Sequence, residues 1–168
     1  ASEVKVIKEE LSRWKNIQVS IKSAQYMSQM GKGHQGVACR VLSSPELNWK
    51  KIKNKEHVIL LILDRIEDPQ NLGSLVRTSW LMGVEGIIVP QNRAVGITPA
   101  VSKVASGGLE HLPIEICPNV PVLLRDLKEM GFWIYGMDHQ GAVPLWDTVF
   151  AEKIALIIGG ESHGMRTS

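Results

Sequence analysis

The chain has 168 residues, 44% of them hydrophobic and 21% charged, with a formal net charge of +2. That length predicts one domain, or one domain with part of another, and enough apolar mass for a buried core. No apolar run approaches the roughly 18 residues of a membrane-spanning helix. The opening ASEVKVIKEEL has no apolar stretch behind a basic start, so it does not read as a signal peptide. Cys39 and Cys117 are solitary, with no CxxC or histidine cluster. A cytosolic protein without a metal or disulfide framework is expected. Residues 1–57 carry eleven Lys/Arg against five acids, and the remainder carries eight against twelve. A basic first part joined to a near-neutral second part suggests a polyanionic partner for the first; a solvated lysine-rich face is the alternative.

Val4, Ile7, Leu11 and Trp14 recur at helical spacing and predict an amphipathic opening helix. Ile17, Val19 and Ile21 alternate and predict a short strand. Residues 23–30 read as a second helix, stopped by Gly31 and Gly33, and HQGVACRVL (34–42) reads as a second strand. Residues 43–57 have no apolar period and are rich in lysine, which predicts a linker; a surface loop anchored by Trp49 is the alternative. From Val58 the pattern changes. VILLIL is the continuous apolar run of a parallel strand covered on both faces. A helix over 70–82 follows, with Leu72, Leu75, Val76 and Ser79 on one side. Next come a strand at GIIVP, a helix opened by Thr98-Pro99, a strand at LPIEI and a helix capped by Asn119. FWIYGM and KIALIIG supply two more strands. The alternation predicts an α/β fold, a parallel sheet with helices on both faces.

Two strand-to-loop junctions carry the chemistry. In LDRIEDPQNLGSLVRTS (63–79), Asp68 and Pro69 open a helix that holds Asn71 and Arg77. Gly73 stands four residues before Arg77, and its missing side chain would leave open space beside that cation, where a phosphate or ribose could approach. Arg77 reads as a functional cation or as a surface, salt-bridged arginine; Asn71 reads as a site residue or as a second cap. In ALIIGGESHGMR (155–166), the strand breaks into a glycine loop that lets a ligand reach the backbone, with Glu161 inside it. Gly160, Ser162 and Gly164 also match G-x-S-x-G, the turn of a serine hydrolase. That fold needs an acid and a histidine downstream of the serine, and only four residues follow Gly164, while His163 is adjacent to Ser162. Asp138 and His139 lie on a polar loop after the YGM strand end; they read as an acid–base pair walling the same pocket or, because neighbours on extended chain point apart, as two separate solvent-facing side chains. Trp14, Trp80, Trp133 and Trp146 read as core or interface residues, and His34 and His111 as structural or solvated ones. No dinucleotide-binding fingerprint or Walker A motif is present.

Together these segments resemble the SpoU–TrmH branch of the SPOUT RNA methyltransferases. LDRIEDPQNLGSLVRTSWLMGVEGIIVP (63–90) is similar to the family's first motif and following strand, ALIIGGESHGMR to its second, and TPAVSKVASGGLEHLPI (98–114) to the segment between them. HQGVACRV (34–41) is similar to the end of a small L30e-like substrate domain that some members carry. The resemblance implies a trefoil-knotted methyltransferase domain over 57–168, a linker at 45–56 and part of an RNA-binding L30e-like domain at 1–44. It implies 2′-O-methylation of a ribose in RNA, with S-adenosylmethionine as cofactor and no metal. The nearest likeness is to members acting on a guanosine of 23S ribosomal RNA. It also implies a cytoplasmic homodimer with the active site at the subunit interface, and no membrane or DNA partner. Carried over, Arg77, Asn71 and Glu161 would be catalytic, and Gly136, Met137, Gly159, Gly160 and Glu161 would hold the cofactor. The family's third motif, a Ser-Leu-Asn-type segment, does not occur in these residues, so a C-terminally incomplete domain is expected. A protein of the same fold that binds RNA without catalysis is the rival expectation.

Overall fold

The computed structural model describes residues 2–30, 34, 36–41, 43–91, 96–141, 143–160 and 164, and divides into two units, 1–42 and 43–168. The first unit holds α1 (Ser2–Ser12) and α2 (Ala24–Gln29). Ser23 caps α2 by accepting the Tyr26 N–H at 3.2 Å. The strands expected around 17–21 and 34–42 do not form among the described residues. Ile17, Val19, Ile21, Val37 and Val41 are exposed instead. Alternation makes a strand only where a neighbour pairs the backbone and another layer covers the apolar face. No described side chain of this unit is buried, so that covering layer is absent among them.

The second unit opens with α3 (Trp49–Asn54) inside the stretch expected to be a linker. Asn48 caps it through Lys51 N–H. Ile52 is fully in the core, and the Trp49 indole donates to Glu115 Oε2 at 3.0 Å. Leu47 lies where a Cβ on Gly86 would stand, 2.4 Å from its Cδ2. Lys55 pairs with Glu85. Two apolar residues, Leu47 and Ile52, and one indole tie this lysine-rich segment to the sheet, too few to produce a readable period.

The sheet is parallel, with β1 (Val58–Asp64), β2 (Gly86–Pro90), β3 (Ile114–Cys117), β4 (Trp133–Met137) and β5 (Lys153–Gly159) in the order β3-β2-β1-β5-β4. Strand alternation sends β1 side chains to two cores. Leu61 and Leu63 join Leu72, Val76, Val101 and Ala105 under α4 (Pro69–Leu81) and α5 (Pro99–Ala105). Leu60 and Ile62 join Ile52, Leu127 and Phe132 under α3 and α6 (Val120–Glu129). The helices therefore cover both faces, as the unbroken apolar run of β1 requires. The expected caps are in place: Asp68 accepts from Gln70 N–H, Thr98 from Val101 N–H and Asn119 from Val122 N–H. Two helical crossovers carry the chain outward from β1 to β3. A third, α6, carries it across to β4, and β5 returns between β4 and β1. The strand order thus reverses between β1 and β5.

Candidate active site

Ligands of open parallel sheets bind beyond the carboxyl ends of the strands where the order reverses. Here that place lies outside the β1–β5 pair, whose ladder ends at Asp64 opposite Gly159. Both junctions singled out in the sequence meet there. Beyond Gly159, Gly160 is buried, and its carbonyl accepts the Gly164 N–H at 2.9 Å. Glu161, together with Ser162 and His163 of the hydrolase pattern, lies outside the described residues.

On the other side, β1 runs into Arg65, which adopts φ 60°, and then into Ile66, packed in the core. The Arg65 carbonyl presses on Gly160 so closely that a Cβ there would lie 2.3 Å from the oxygen. The Arg65 side chain is 18% exposed and its Nε has no hydrogen-bond partner; Asp64 Oδ2 is 3.8 Å away. No signal in the sequence marks Arg65, because its conformation answers to a contact 95 residues further along the chain.

Asn71 sits in the first turn of α4, half-buried and not free. The cap itself is supplied by Asp68, with Pro69 at the first helical position. Arg77 lies six residues on, which is about 9 Å along the helix axis and on another face. It is exposed. Gly73 does not leave open space beside it. A Cβ at Gly73 would meet Val104 Cβ at 2.6 Å and the Val101 carbonyl at 2.9 Å, so this glycine serves the close crossing of α4 and α5. Gly108 plays the same part against Val76 and the Arg77 backbone. These glycines fix where α4 stands and hence where Asn71 and Arg77 are presented.

On the β4 side, Gly136 faces Ile157 and Met137 faces Ile158 in register. Met137 is 38% exposed and shares a face with half-buried Ile158, leaving an apolar ledge beside Gly159, while Ile157 packs toward the core on the other face. The structure thus gathers Gly136, Met137, Gly159 and Gly160 along adjacent strand ends, with Asn71 at the start of the neighbouring helix. Arg77 stands apart from them on the outer face of α4.

The other polar groups are accounted for locally. Asp138 Oδ1 accepts the Gln140 N–H at 2.9 Å, and His139 Nδ1 approaches the same carboxylate at 3.3 Å. The chain turns here instead of extending, so the neighbours meet, but both are exposed. His34 Nδ1 accepts the Gly36 N–H, and His111 stacks on Trp80 with centroids 4.7 Å apart. Trp14, Trp133 and Trp146 are exposed instead of serving a core; Trp80 is half-buried. Burial pushes the Cys117 thiol above its ordinary value, and Glu115 adds to this against a backbone hydrogen bond at Asn119. No group of three His, Cys, Asp or Glu among the described residues is placed to hold a metal ion. Two open clefts of about 550 and 480 Å³ lie at the opposite, amino-terminal end of the strands, around His57, Glu152 and Ala151.

The SpoU rRNA Methylase family matches residues 58–168. The chain is 36% identical over 162 residues to the putative TrmH family tRNA/rRNA methyltransferase YacO of Bacillus subtilis, covering 93% of this chain and 65% of that protein. It is 35% identical over 167 residues to the 23S rRNA (guanosine-2′-O-)-methyltransferase RlmB of Xylella fastidiosa, covering 94% and 66%. The chain therefore spans under two thirds of the length of either curated relative. Among solved structures, the SpoU methyltransferase AviRb from Streptomyces viridochromogenes in complex with the cofactor AdoMet superposes with a TM-score of 0.65 at 24% identity, covering 73% of this chain and 50% of that one. Parallel topology, paired motifs and curated relatives converge: the chain belongs to the SpoU rRNA methylase family.

Proposed function

We propose that the protein transfers a methyl group from S-adenosylmethionine to a ribose 2′-hydroxyl of RNA, with a guanosine of 23S ribosomal RNA as the target. One observation carries the reading: the two family motifs meet at the reversal point of the sheet, the Gly159–Gly160 turn seated on the loop that leads into Asn71. The ledge fits an adenosine-bearing cofactor. Met137 and Ile158, paired in register, offer apolar surface on one face, Gly136 and Gly159 leave backbone polar groups within reach of a flat ring, and Gly160, its open side filled by the Arg65 carbonyl, holds the turn that presents them. When bound, the cofactor supplies a methyl carbon activated by a sulfonium. Arg77 places a cation near the ribose oxygen, which favours its deprotonated, nucleophilic form. Asn71 and Glu161 orient the substrate and the loop, and in-line positioning supplies much of the remaining acceleration. The 2′-hydroxyl makes RNA, and not DNA, the acceptor.

The outward position of Arg77 supports a homodimer in which the arginine of one subunit serves an interface site. The knot, and the basic residues 1–44 as part of an L30e-like RNA-binding domain, belong to the same proposal. So does a cytoplasmic location. Among the described residues no helix is long and apolar enough to cross a membrane. The test is transfer of radiolabelled methyl from S-adenosylmethionine to unmodified ribosomal RNA by the full-length protein, with the product mapped to its nucleotide. Label on a ribose 2′-oxygen of 23S RNA is the expected result. Label only on transfer RNA would overturn the target, and no label on either RNA would overturn the catalytic reading in favour of an RNA-binding protein.

A further inference from the structure

Among the described residues only Arg65 and Ser106 combine a side chain with left-handed backbone. Ser106 ends α5, where that conformation is ordinary. Arg65 ends a strand, and there the conformation needs another cause. Its carbonyl supplies one. The last β1–β5 pair is Asp64 with Gly159, and one residue further on, the Arg65 carbonyl rests on Gly160. A Cβ at Gly160 would lie 2.3 Å from that oxygen and 3.2 Å from its carbon. The contact is backbone against backbone, so no rotamer change relieves it. Gly160 in turn accepts the Gly164 N–H. The Arg65 Nε makes no hydrogen bond and stands 3.8 Å from Asp64 Oδ2, so no side-chain hydrogen bond from that atom accounts for the conformation.

We infer that Arg65 is a positioning residue whose left-handed backbone, seated on Gly160, locks the β1–α4 loop to the glycine turn of β5 and so fixes where the cofactor loop leaves the strand. The lock extends the β1–β5 association past the end of its hydrogen-bonded ladder, by contact instead of pairing. It rests on the reading of Gly159–Gly160 and Glu161 as that loop. Only residues that tolerate positive φ preserve it at position 65, and only glycine preserves it at position 160.

The experiment compares Arg65→Gly, Arg65→Val and Gly160→Ala in the full-length protein. The readouts are Gly164 amide exchange by NMR, S-adenosylmethionine affinity by calorimetry, and KM against kcat on RNA. Arg65→Gly keeps amide protection and affinity within about threefold of the parent, because glycine enters the conformation freely. Arg65→Val and Gly160→Ala speed Gly164 exchange and weaken cofactor binding by about tenfold or more, since a β-branched residue at positive φ is a severe outlier. The loss appears in KM for the cofactor before kcat. If Arg65→Gly fails as badly as Arg65→Val, the guanidinium matters and the lock is wrong. Parent-like behaviour of Arg65→Val also overturns it. Should Arg65→Val fail to fold, Arg65→Asn against Arg65→Ala decides, with Asn, which tolerates left-handed backbone, expected to protect Gly164 better. A parent that binds no S-adenosylmethionine, with Gly164 exchange still following this pattern, leaves the lock standing and refutes the cofactor reading alone.

Discussion

Replacing Gly73 by Ala tests whether this glycine serves helix packing or a ligand. A methyl on Gly73 would lie 2.6 Å from Val104 Cβ and 2.9 Å from the Val101 carbonyl. Carbon pairs prefer about 3.5–4.0 Å, so α4 and α5 must separate by roughly 1 Å. Overpacking of this kind costs about 1–3 kcal/mol. Against it, alanine in a helix interior gains about 1 kcal/mol over glycine. The net expectation is a loss of up to about 2 kcal/mol, which at that limit is roughly 4–8 °C in Tm for a chain of this size. Urea denaturation of the Gly73→Ala variant measures it. Because part of the clash is with Val104 Cβ, Val104→Gly should absorb part of the loss. The double variant should then be more stable than the two single losses predict when added. A Gly73→Ala protein more stable than the parent, or one whose loss Val104→Gly does nothing to reduce, would refute the packing argument and restore the open-space reading.

Arg77→Ala removes an exposed cation, so stability should change by less than about 0.5 kcal/mol. Its kcat should fall by about 10²–10³-fold while RNA affinity by filter binding changes little. A fall in affinity alone would make Arg77 an RNA contact and not a catalytic group. Ile52→Ala should cost about 2–4 kcal/mol by denaturant melt, because Ile52 is buried in the core beside Leu60 and Leu127. A true linker position would show almost no effect. Trp49→Phe should cost about 1–2 kcal/mol through the lost bond to Glu115. For Cys117, burial raises the thiol pKa, so its thiolate fraction at a given pH is smaller than for an ordinary cysteine. Native-state labelling at pH 8 should modify exposed Cys39 well before Cys117, with the difference vanishing in denaturant. The folded state holds the Cys117 proton more tightly, so its contribution to stability is complete below the unfolded thiol value and declines as pH rises through the raised, folded one.

What could be read from the sequence divides by the range of the physics involved. The β1 run, the caps at Asp68, Thr98 and Asn119, and the strand–helix alternation are local signals, and each appears where local rules place it. Alternation at Ile17, Val19 and Ile21 is also local, but a strand is a pairwise object, and the described residues of that unit supply no covering layer. α3 escaped notice for the converse reason. Its lysines speak for solvent, while its attachment is made by Ile52 and Trp49 to partners elsewhere in the chain.

The site shows the same division at finer grain. Asn71, Gly136, Met137, Gly159 and Gly160 each stand where a strand ends or a helix starts, and strand order brings those ends together, but the naming of Gly136 and Met137 as candidates came from the family resemblance and not from their position. The meaning of each glycine was not legible. Gly73 and Gly160 both look like room for a ligand, yet each is filled by protein: Val104 in one case, the Arg65 carbonyl in the other. A glycine in a sequence records that something comes close without recording what. At Gly73 the neighbour is a helix, which makes the residue part of the scaffold. At Gly160 it is the other motif loop, so the same absence of a side chain joins the two halves of the site.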